Sequence, residues 1–367
     1  MRIAVNARTL DYPSGGPKEY LLGLVRAILD AGGHECLLYY PDASHVGTFP
    51  EATEQVLPTR NRLAFDWLAL PRALKRDKPD VVFFPSSNMP AGIPCPAVVA
   101  MLDLGYFHPT LRMYKRGDTL YMRRFIRYAA RRAERLVAIS EHTRDDVLRL
   151  TKARPEQVAV TPLACDPLYK VPVAPEDVAA FRERHGLSRP YILYAGNISP
   201  RKNLGTLLAA FARAGSRLPC DLAVTGGLAW SEDFSETVAK LGLTGRVRRL
   251  GHVERREMPL LYHGALALAF PSLFEGFGLP VLEAQACGTP VVCAAATSLP
   301  EVAGDGALLV APADADAWAD ALVRVVADAA LRADLIRRGF ANEARFTWAQ
   351  TARLTLDALA AAARTPR

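Results

Sequence analysis

Short apolar runs of four to six residues recur along this chain, each followed by a longer amphipathic stretch, and the whole alternation occurs twice. Strands that alternate with helices in this way imply a mostly parallel sheet with helices on its faces. The first series predicts strands at Ile3–Asn6, Cys36–Tyr40, Val81–Pro85, Val98–Asp103, Leu136–Ser140 and Val158–Pro162, with helices such as Glu19–Asp30 and Asp145–Leu150 between them. It breaks at Asp166–Glu176, where Pro167, Pro172 and Pro175 crowd together and read as a linker. It restarts with strands expected at Tyr191–Ala195, Leu222–Thr225, Val247–Leu250, Ala265–Phe270, Val291–Ala294 and Leu308–Val310, and helices at Leu204–Arg213 and Pro280–Ala286. The expected fold class is α/β, two Rossmann-like doubly wound domains at 1–168 and 177–347, facing across a cleft. Ligands of such sheets bind beyond the carboxyl ends of the strands. The alanine-rich segment Trp348–Ala363 reads as a further helix, packing on the second domain or crossing back to the first.

The length of 367 residues suits two domains. Half the residues are hydrophobic and 23% are charged, which excludes a disordered chain. Apolar stretches such as Ala265–Phe270 fall far short of the roughly 20 residues that cross a bilayer. The opening run from Met1 to Asn6 is too brief for a signal-peptide core and reads as a first strand. Six cysteines, at positions 36, 95, 165, 220, 287 and 293, include no pair with metal or redox spacing. Reduced, buried thiols in a cytoplasmic protein are expected, with no metal and no cofactor. The net charge of +7 suits anionic small molecules or an anionic membrane face. No nucleic-acid motif accompanies it.

The segment with most chemical content is Pro271-Ser272-Leu273-Phe274-Glu275-Gly276-Phe277-Gly278-Leu279-Pro280-Val281-Leu282-Glu283-Ala284, directly after an expected strand. Gly276 and Gly278 allow backbone to approach a ligand, and Pro280 suits a first helical turn. That helix would turn its positive end toward a diphosphate. Glu275 suits a sugar hydroxyl, and Glu283 the hydroxyls of a ribose. A plain glycine turn with two surface carboxylates is the other reading of the same residues. A second segment, Tyr194-Ala195-Gly196-Asn197-Ile198-Ser199-Pro200-Arg201-Lys202-Asn203, leaves the first strand of the second series. Its adjacent Arg201 and Lys202 can neutralise a diphosphate leaving group, or form a solvated basic loop. Two weaker signals lie in the first series: Ser14-Gly15-Gly16-Pro17, and Met101 to Pro109 with Asp103 and His108.

Together these segments resemble the retaining nucleotide-sugar glycosyltransferases of the two-domain GT-B type, family 4. The pair Glu275 and Glu283, the following Gly288-Thr289-Pro290-Val291-Val292, and Leu299-Pro300-Glu301-Val302 carry the resemblance most densely. It implies that Glu275 meets the transferred sugar, that the donor loop holding Phe277, Gly278 and Leu279 offers backbone amides, and that Glu283 holds the ribose. It further implies that Gly15 and Gly16 approach the donor phosphates, and that Asn197 stands where many members carry arginine. Arg201 and Lys202 then supply the catalytic charge together with Glu275. Ser140, in Val137-Ala138-Ile139-Ser140-Glu141-His142-Thr143, matches a turn at the cleft, and Asp103 and His108 are acceptor-side candidates. Leu102 occupies the position of a usual cleft histidine.

Between Arg112 and Arg132 lie eight basic residues and one acid, Asp118, interleaved with Tyr114, Tyr121, Phe125 and Tyr128. Either the basic and aromatic residues meet a membrane surface or lipid-linked acceptor, or Tyr121, Phe125 and Tyr128 form the buried face of a helix. The expected activity is metal-independent transfer of a hexose from a GDP- or UDP-sugar, with mannose as first expectation, to a glycan, lipid-linked or small-molecule acceptor, with retention. A silent nucleotide-sugar-binding subunit, or an epimerase or phosphorylase of the same fold, is the alternative. A nicotinamide oxidoreductase is disfavoured, since no Gly-x-Gly-x-x-Gly follows either first strand.

Overall fold

Val, Ile, Leu and Ala fill the strand cores so uniformly that most strands are buried along their whole length, as parallel strands covered on both faces must be. A computed structural model describes residues 1–12, 15–108, 116–227 and 234–365. Among them, strands β1 (Arg2–Asn6), β2 (Glu35–Tyr40), β3 (Thr53–Val56), β4 (Val81–Phe84), β5 (Ala97–Met101), β6 (Arg135–Ala138) and β7 (Val158–Val160) form one sheet. Strands β8 (Tyr191–Ala195), β9 (Asp221–Thr225), β10 (Val247–Gly251), β11 (Ala267–Phe270), β12 (Val291–Ala294) and β13 (Ala307–Val310) form the other. The orders are β3-β2-β1-β4-β5-β6-β7 and β10-β9-β8-β11-β12-β13. Every pairing is parallel. Each sheet reverses its winding beside its first strand, the place where open α/β sheets hold ligands.

One strand escaped the sequence pattern. β3 reads Thr-Glu-Gln-Val and has a single neighbour, β2, so it needs no double-sided apolar run. β5 stops at Met101, which leaves Leu102 and Asp103 past the strand end rather than within it.

The chain divides into two compact units. Unit 1 holds the residues up to His108, the following segment through Ala164, and the segment from Phe346 onward; unit 2 runs from Cys165 to Arg345. The proline-rich stretch after Ala164 is ordered on unit 2. Asp166 pairs with Arg255, Lys170 Nζ lies 2.7 Å from Glu343 Oε1, and the Cys287 thiol donates to the Tyr169 carbonyl at 3.4 Å. It forms a 3-10 turn at Pro167–Lys170 and then the helix Pro175–Arg184.

The helix Trp348–Ala363 belongs to unit 1. Its start is capped by Thr347, whose hydroxyl accepts from the Gln350 amide, and Thr351 donates to the Pro162 carbonyl at 2.6 Å. It lies against the helix Gly16–Ala31 at Gly23, where an added Cβ would fall 2.3 Å from the Trp348 ring.

Candidate functional site

In unit 2 the carboxyl end of β8 runs into Gly196, a 3-10 turn at Pro200–Lys202, and the helix Leu204–Ala214. Asn203 takes the left-handed conformation at the junction, φ +56°, which a short amide side chain tolerates. Its Nδ2 donates to the Pro271 carbonyl at 3.1 Å and the Pro312 carbonyl at 2.7 Å. The Leu273 amide donates to the Arg201 carbonyl at 2.8 Å. These bonds lock the loop after β8 to the loop after β11, so that Arg201, Lys202 and Glu275 converge.

Lys202 Nζ lies 2.7 Å from Glu275 Oε1, and an Arg201 guanidinium nitrogen lies 3.1 Å from Glu275 Oε2. The same Arg201 nitrogen donates to the Phe274 carbonyl at 3.1 Å, and Lys202 sits over the Phe270 ring, 4.8 Å from its centre. Glu275 and Lys202 are both buried, each 8% exposed, while Arg201 is partly open. Burial alone would push the Glu275 carboxyl up; the Lys202 and Arg201 charges more than offset it and hold the group at about 2. Burial lowers the Lys202 ammonium, and Glu275 opposes that shift. The three residues therefore form one ion-paired cluster, not a free basic pair beside a separate acid.

The glycine loop is held from behind. The Glu275 amide donates to Thr297 Oγ1 at 3.0 Å, and Ser298 Oγ lies 3.0 Å from the Glu275 carbonyl and 2.8 Å from that of Phe277. Ser298 is fully buried, and Thr297 adopts φ +52°, an uncommon conformation for a β-branched residue. Gly278 precedes the helix Leu279–Ala286 at φ +117°, and a Cβ there would fall 2.7 Å from Leu299. Glycine is required on both counts. Phe277 is buried, and Leu279 and Pro280 open the helix, so its positive end faces back toward the Glu275 loop. Glu283 lies on that helix, half-buried, and accepts a hydrogen bond from Tyr262 Oη at 2.7 Å. Tyr262 is fully buried with its ring edge-on to Tyr169, and burial raises its hydroxyl far above the ordinary value, so it acts as a donor.

Asn197 is exposed. Its Oδ1 accepts from the Gly227 amide at 3.3 Å, and the Ile198 amide donates to the Gly227 carbonyl at 2.9 Å. Here the loops after β8 and β9 touch backbone to backbone: a Cβ on Gly226 would lie 2.2 Å from the Gly196 carbonyl oxygen.

The first-unit candidates occupy separate places. Ser14 lies outside the described residues. Gly15 caps the helix Gly16–Ala31 at φ +114°, and a Cβ on Gly16 would meet open space. Asp103 accepts from the Gly105 amide at 2.9 Å. His108 Nε2 lies 3.3 Å from Asp146 Oδ2, with His142 Nε2 at 3.7 Å from the same oxygen and Arg149 paired to the other. Burial lowers His142 despite Asp146 beside it. Ser140 is buried and caps the helix Glu141–Leu150, its Oγ accepting from the Thr143 amide at 3.0 Å. Among the described residues no cluster of His, Cys, Asp and Glu has metal-binding geometry.

Sequence reasoning missed five contributors: Tyr262, Thr297, Ser298, Gly226 and Asp146. Thr225-Gly226-Gly227 was open to detection, since it follows an expected strand as the other glycine loops do. Tyr262, Thr297 and Ser298 act across long chain separations, which no local pattern carries.

Comparison with known proteins decides the family. A model described as Glycosyltransferase Family 4 matches residues 14–167, and one described as Glycosyl transferases group 1 matches residues 177–341. The chain belongs to the group 1, family 4 glycosyltransferases. Among relatives, this family 4 chain is 29% identical over 381 residues to the O-antigen chain mannosyltransferase B of Escherichia coli, covering 98% of this chain and 99% of that one. It is 35% identical over 237 residues to a D-inositol 3-phosphate glycosyltransferase of Stackebrandtia nassauensis, spanning 60% of itself but only 52% of that relative. Its fold is GT-B. Anabaena Alr3699/HepE in complex with UDP and glucose superposes with a TM-score of 0.79 at 18% identity, over 98% of this chain and 99% of the other. WaaG, a glycosyltransferase involved in lipopolysaccharide biosynthesis, gives 0.76 at 18% identity over the same shares.

Proposed function

We propose that this glycosyltransferase moves a hexose, mannose first, from a GDP- or UDP-sugar to a glycan, lipid-linked or small-molecule acceptor with retention of configuration and without a metal ion. The observation that carries the reading is the Arg201–Lys202–Glu275 cluster at the mouth of the helix Leu279–Ala286. As the bond from the sugar to the diphosphate breaks, charge grows on the leaving oxygens. Lys202, Arg201 and the positive end of the helix stand ready to receive it, an electrostatic contribution that needs no reorganisation. Glu275 then exchanges an internal ion pair for sugar hydroxyls, and Glu283, steadied by Tyr262, takes the ribose. Asn197, Phe277, Gly278 and Leu279 complete the donor site of unit 2 in this reading.

Two comparisons support the choice of donor and product. The relative matched over its full length is a mannosyltransferase of an O-antigen chain, and a structure of the same fold holds UDP and glucose. Polysaccharide synthesis on the cytoplasmic side, with peripheral contact to the inner membrane face through residues 112–132, follows as part of the proposal.

The test is a panel of nucleotide sugars and nucleoside diphosphates scored by thermal shift with and without EDTA, followed by proton NMR of the product anomer. Stabilisation by one nucleoside diphosphate, unchanged by EDTA, and a retained anomeric configuration are expected. At about 100 times the dissociation constant the shift corresponds to roughly 2.7 kcal/mol. Binding without turnover of any donor would point to the silent-subunit alternative.

A further inference from the structure

Three consecutive residues after β12 each grip a different point of the loop that carries Glu275. The Thr297 hydroxyl accepts from the Glu275 amide at 3.0 Å. The Ser298 hydroxyl lies 3.0 Å from the Glu275 carbonyl and 2.8 Å from the Phe277 carbonyl. Leu299 fills the space that a Cβ on Gly278 would need. The loop after β11 is thus cast against Thr297-Ser298-Leu299, point by point and in the same order.

That cast turns on Thr297. β12 ends at Ala294, the Ala295 amide donates to the Val310 carbonyl at 2.7 Å, and the helix Leu299–Ala303 follows at once. The chain changes direction within this span with Thr297 at φ +52°. Among the described residues, Lys78 and Asn203 are the other non-glycines with positive φ. Lys78 closes the helix Leu70–Asp77, a usual place for the left-handed region, and Asn203 is a short amide suited to it. Thr297 is the β-branched one, the poorest fit of the three. Strain of this kind persists where the surroundings enforce it, and it gathers at working sites. Packing does not explain the choice, because Ser298 and Leu299 are fully buried while Thr297 is only partly so. Glycine would adopt this φ freely. What threonine adds is the hydroxyl that meets the Glu275 amide.

Glu275 is therefore tied at both ends, its carboxylate by Lys202 and Arg201 and its main chain by Thr297 and Ser298. In the proposed reaction the carboxylate gives up its ion pairs for hydroxyls of the transferred sugar. The main-chain ties are then what keeps the loop in place while the side chain changes partners. A small displacement of a group that orients a reacting sugar is expensive in rate, far more than in ground-state affinity.

We infer that Thr297 is a positioning residue for the transferred sugar: its hydroxyl, aimed by a strained main chain, fixes the Glu275 backbone so that the carboxylate can pass from its ion pairs to the sugar without moving the loop. The inference rests on the proposed role of Glu275 in holding the sugar.

The test compares Thr297→Ser, which keeps the hydroxyl, with Thr297→Val, which keeps the branched shape and removes it. Thr297→Gly removes the hydroxyl and relieves the backbone strain, so it stands in should the valine chain fail to fold. Amide hydrogen exchange of the full chain without any donor reads the bond itself. The Glu275 amide should be protected in wild type and Thr297→Ser, and should exchange about tenfold faster in Thr297→Val and Thr297→Gly. Calorimetry with GDP and UDP, and hydrolysis of GDP-mannose and UDP-glucose at saturation, then read function with no added acceptor. The diphosphate that binds wild type should bind Thr297→Val equally well, while turnover falls by about 10- to 100-fold. Thr297→Ser should restore most of that turnover. Unaltered exchange at Glu275 in the valine and glycine chains, or accelerated exchange with unaltered turnover, would overturn the inference and leave the donor site standing. Parallel loss of diphosphate affinity and turnover would make Thr297 a general support of the fold and overturn it as well. A wild type that binds neither diphosphate and hydrolyses neither nucleotide sugar would remove the glycosyltransferase reading, and the inference with it.

Discussion

Lys202 Nζ and Glu275 Oε1 meet at 2.7 Å across 73 residues of sequence, and each offsets part of the cost of burying the other's charge. The ion pair joins two loops that a sequence reading treats as separate contributors. It also means that substitution of either partner changes both.

Glu275→Gln frees Lys202 and Arg201 from their internal counter-charge. Affinity for the bare nucleoside diphosphate should rise several-fold, while turnover should collapse if, as proposed, Glu275 holds the transferred sugar. Glu283→Gln should do the reverse to the diphosphate, weakening it about ten- to a hundredfold, the effect of a charged hydrogen bond of about 1.5–3 kcal/mol. Calorimetric titration of both variants checks this; equal losses would mean that the two carboxylates have been assigned wrongly.

Lys202→Met leaves Glu275 buried with Arg201 as its remaining counter-charge. Removing one partner of a buried pair costs about 3–5 kcal/mol where nothing else compensates, so the loss here should fall below that range. Turnover at saturating donor should drop by about 10²–10³. Urea unfolding and steady-state kinetics separate the two effects, and an unchanged value in both would show the pair to be inert.

The depressed Glu275 carboxyl sets an acid limit. Its unfolded value is near 4.5 and its folded value about 2, so the unfolded chain binds more protons between these limits. The stability it contributes is fully present above pH 4.5 and is lost as pH falls toward 2. Denaturant unfolding across that window should show a steeper decline for wild type than for Glu275→Gln. Parallel pH profiles would contradict the ion-pair account.

Tyr262→Phe retains the buried ring and removes the donor to Glu283. Nucleoside diphosphate affinity should fall by about fivefold to tenfold, near 1 kcal/mol, as for loss of one ordinary hydrogen bond. The ratio of affinities for ribo- and 2′-deoxyribonucleotides should shrink in parallel. An unaltered ratio would place Glu283 away from the ribose.

Gly278→Ala should destabilise unit 2 by about 1–3 kcal/mol, through positive φ and through contact with Leu299. Adding Leu299→Ala should recover none of the backbone component, which a urea titration of the double variant would reveal.

The strands and the glycine loops were legible because a doubly covered parallel sheet writes its strands as continuous apolar runs, and because a loop after a strand must carry glycine where backbones meet. Val291–Ala294 and Tyr191–Ala195 emerged with their limits intact. Thr53–Val56 did not, since an edge strand with one neighbour has no such run to display. In the helix Arg116–Arg132 the spacing of Tyr121, Phe125 and Tyr128 left a buried and an outward aromatic face both open; small alanines and Ile126 took the core, while Tyr121 stays exposed and Phe125 half-buried. Periodicity reports that a face exists; side-chain volume against a crowded sheet decides which one fits. The coupling of Glu275 to Lys202 was invisible for a different reason, namely that it depends on Asn203 bridging two loops through the Pro271 and Pro312 carbonyls.

The return of the helix Trp348–Ala363 to unit 1 has a bearing on how the chain is made. Its packing at Gly23 and its bond to Pro162 close a body whose other parts precede the whole of unit 2 in the sequence. On the ribosome, unit 2 has every residue it needs before unit 1 does, so the later-encoded body is the first able to fold to completion. The β-sheet of unit 1 must meanwhile wait with one flank uncovered. A released chain that ends at Arg345 should accordingly capture nucleoside diphosphate while its opening half is cut readily by protease.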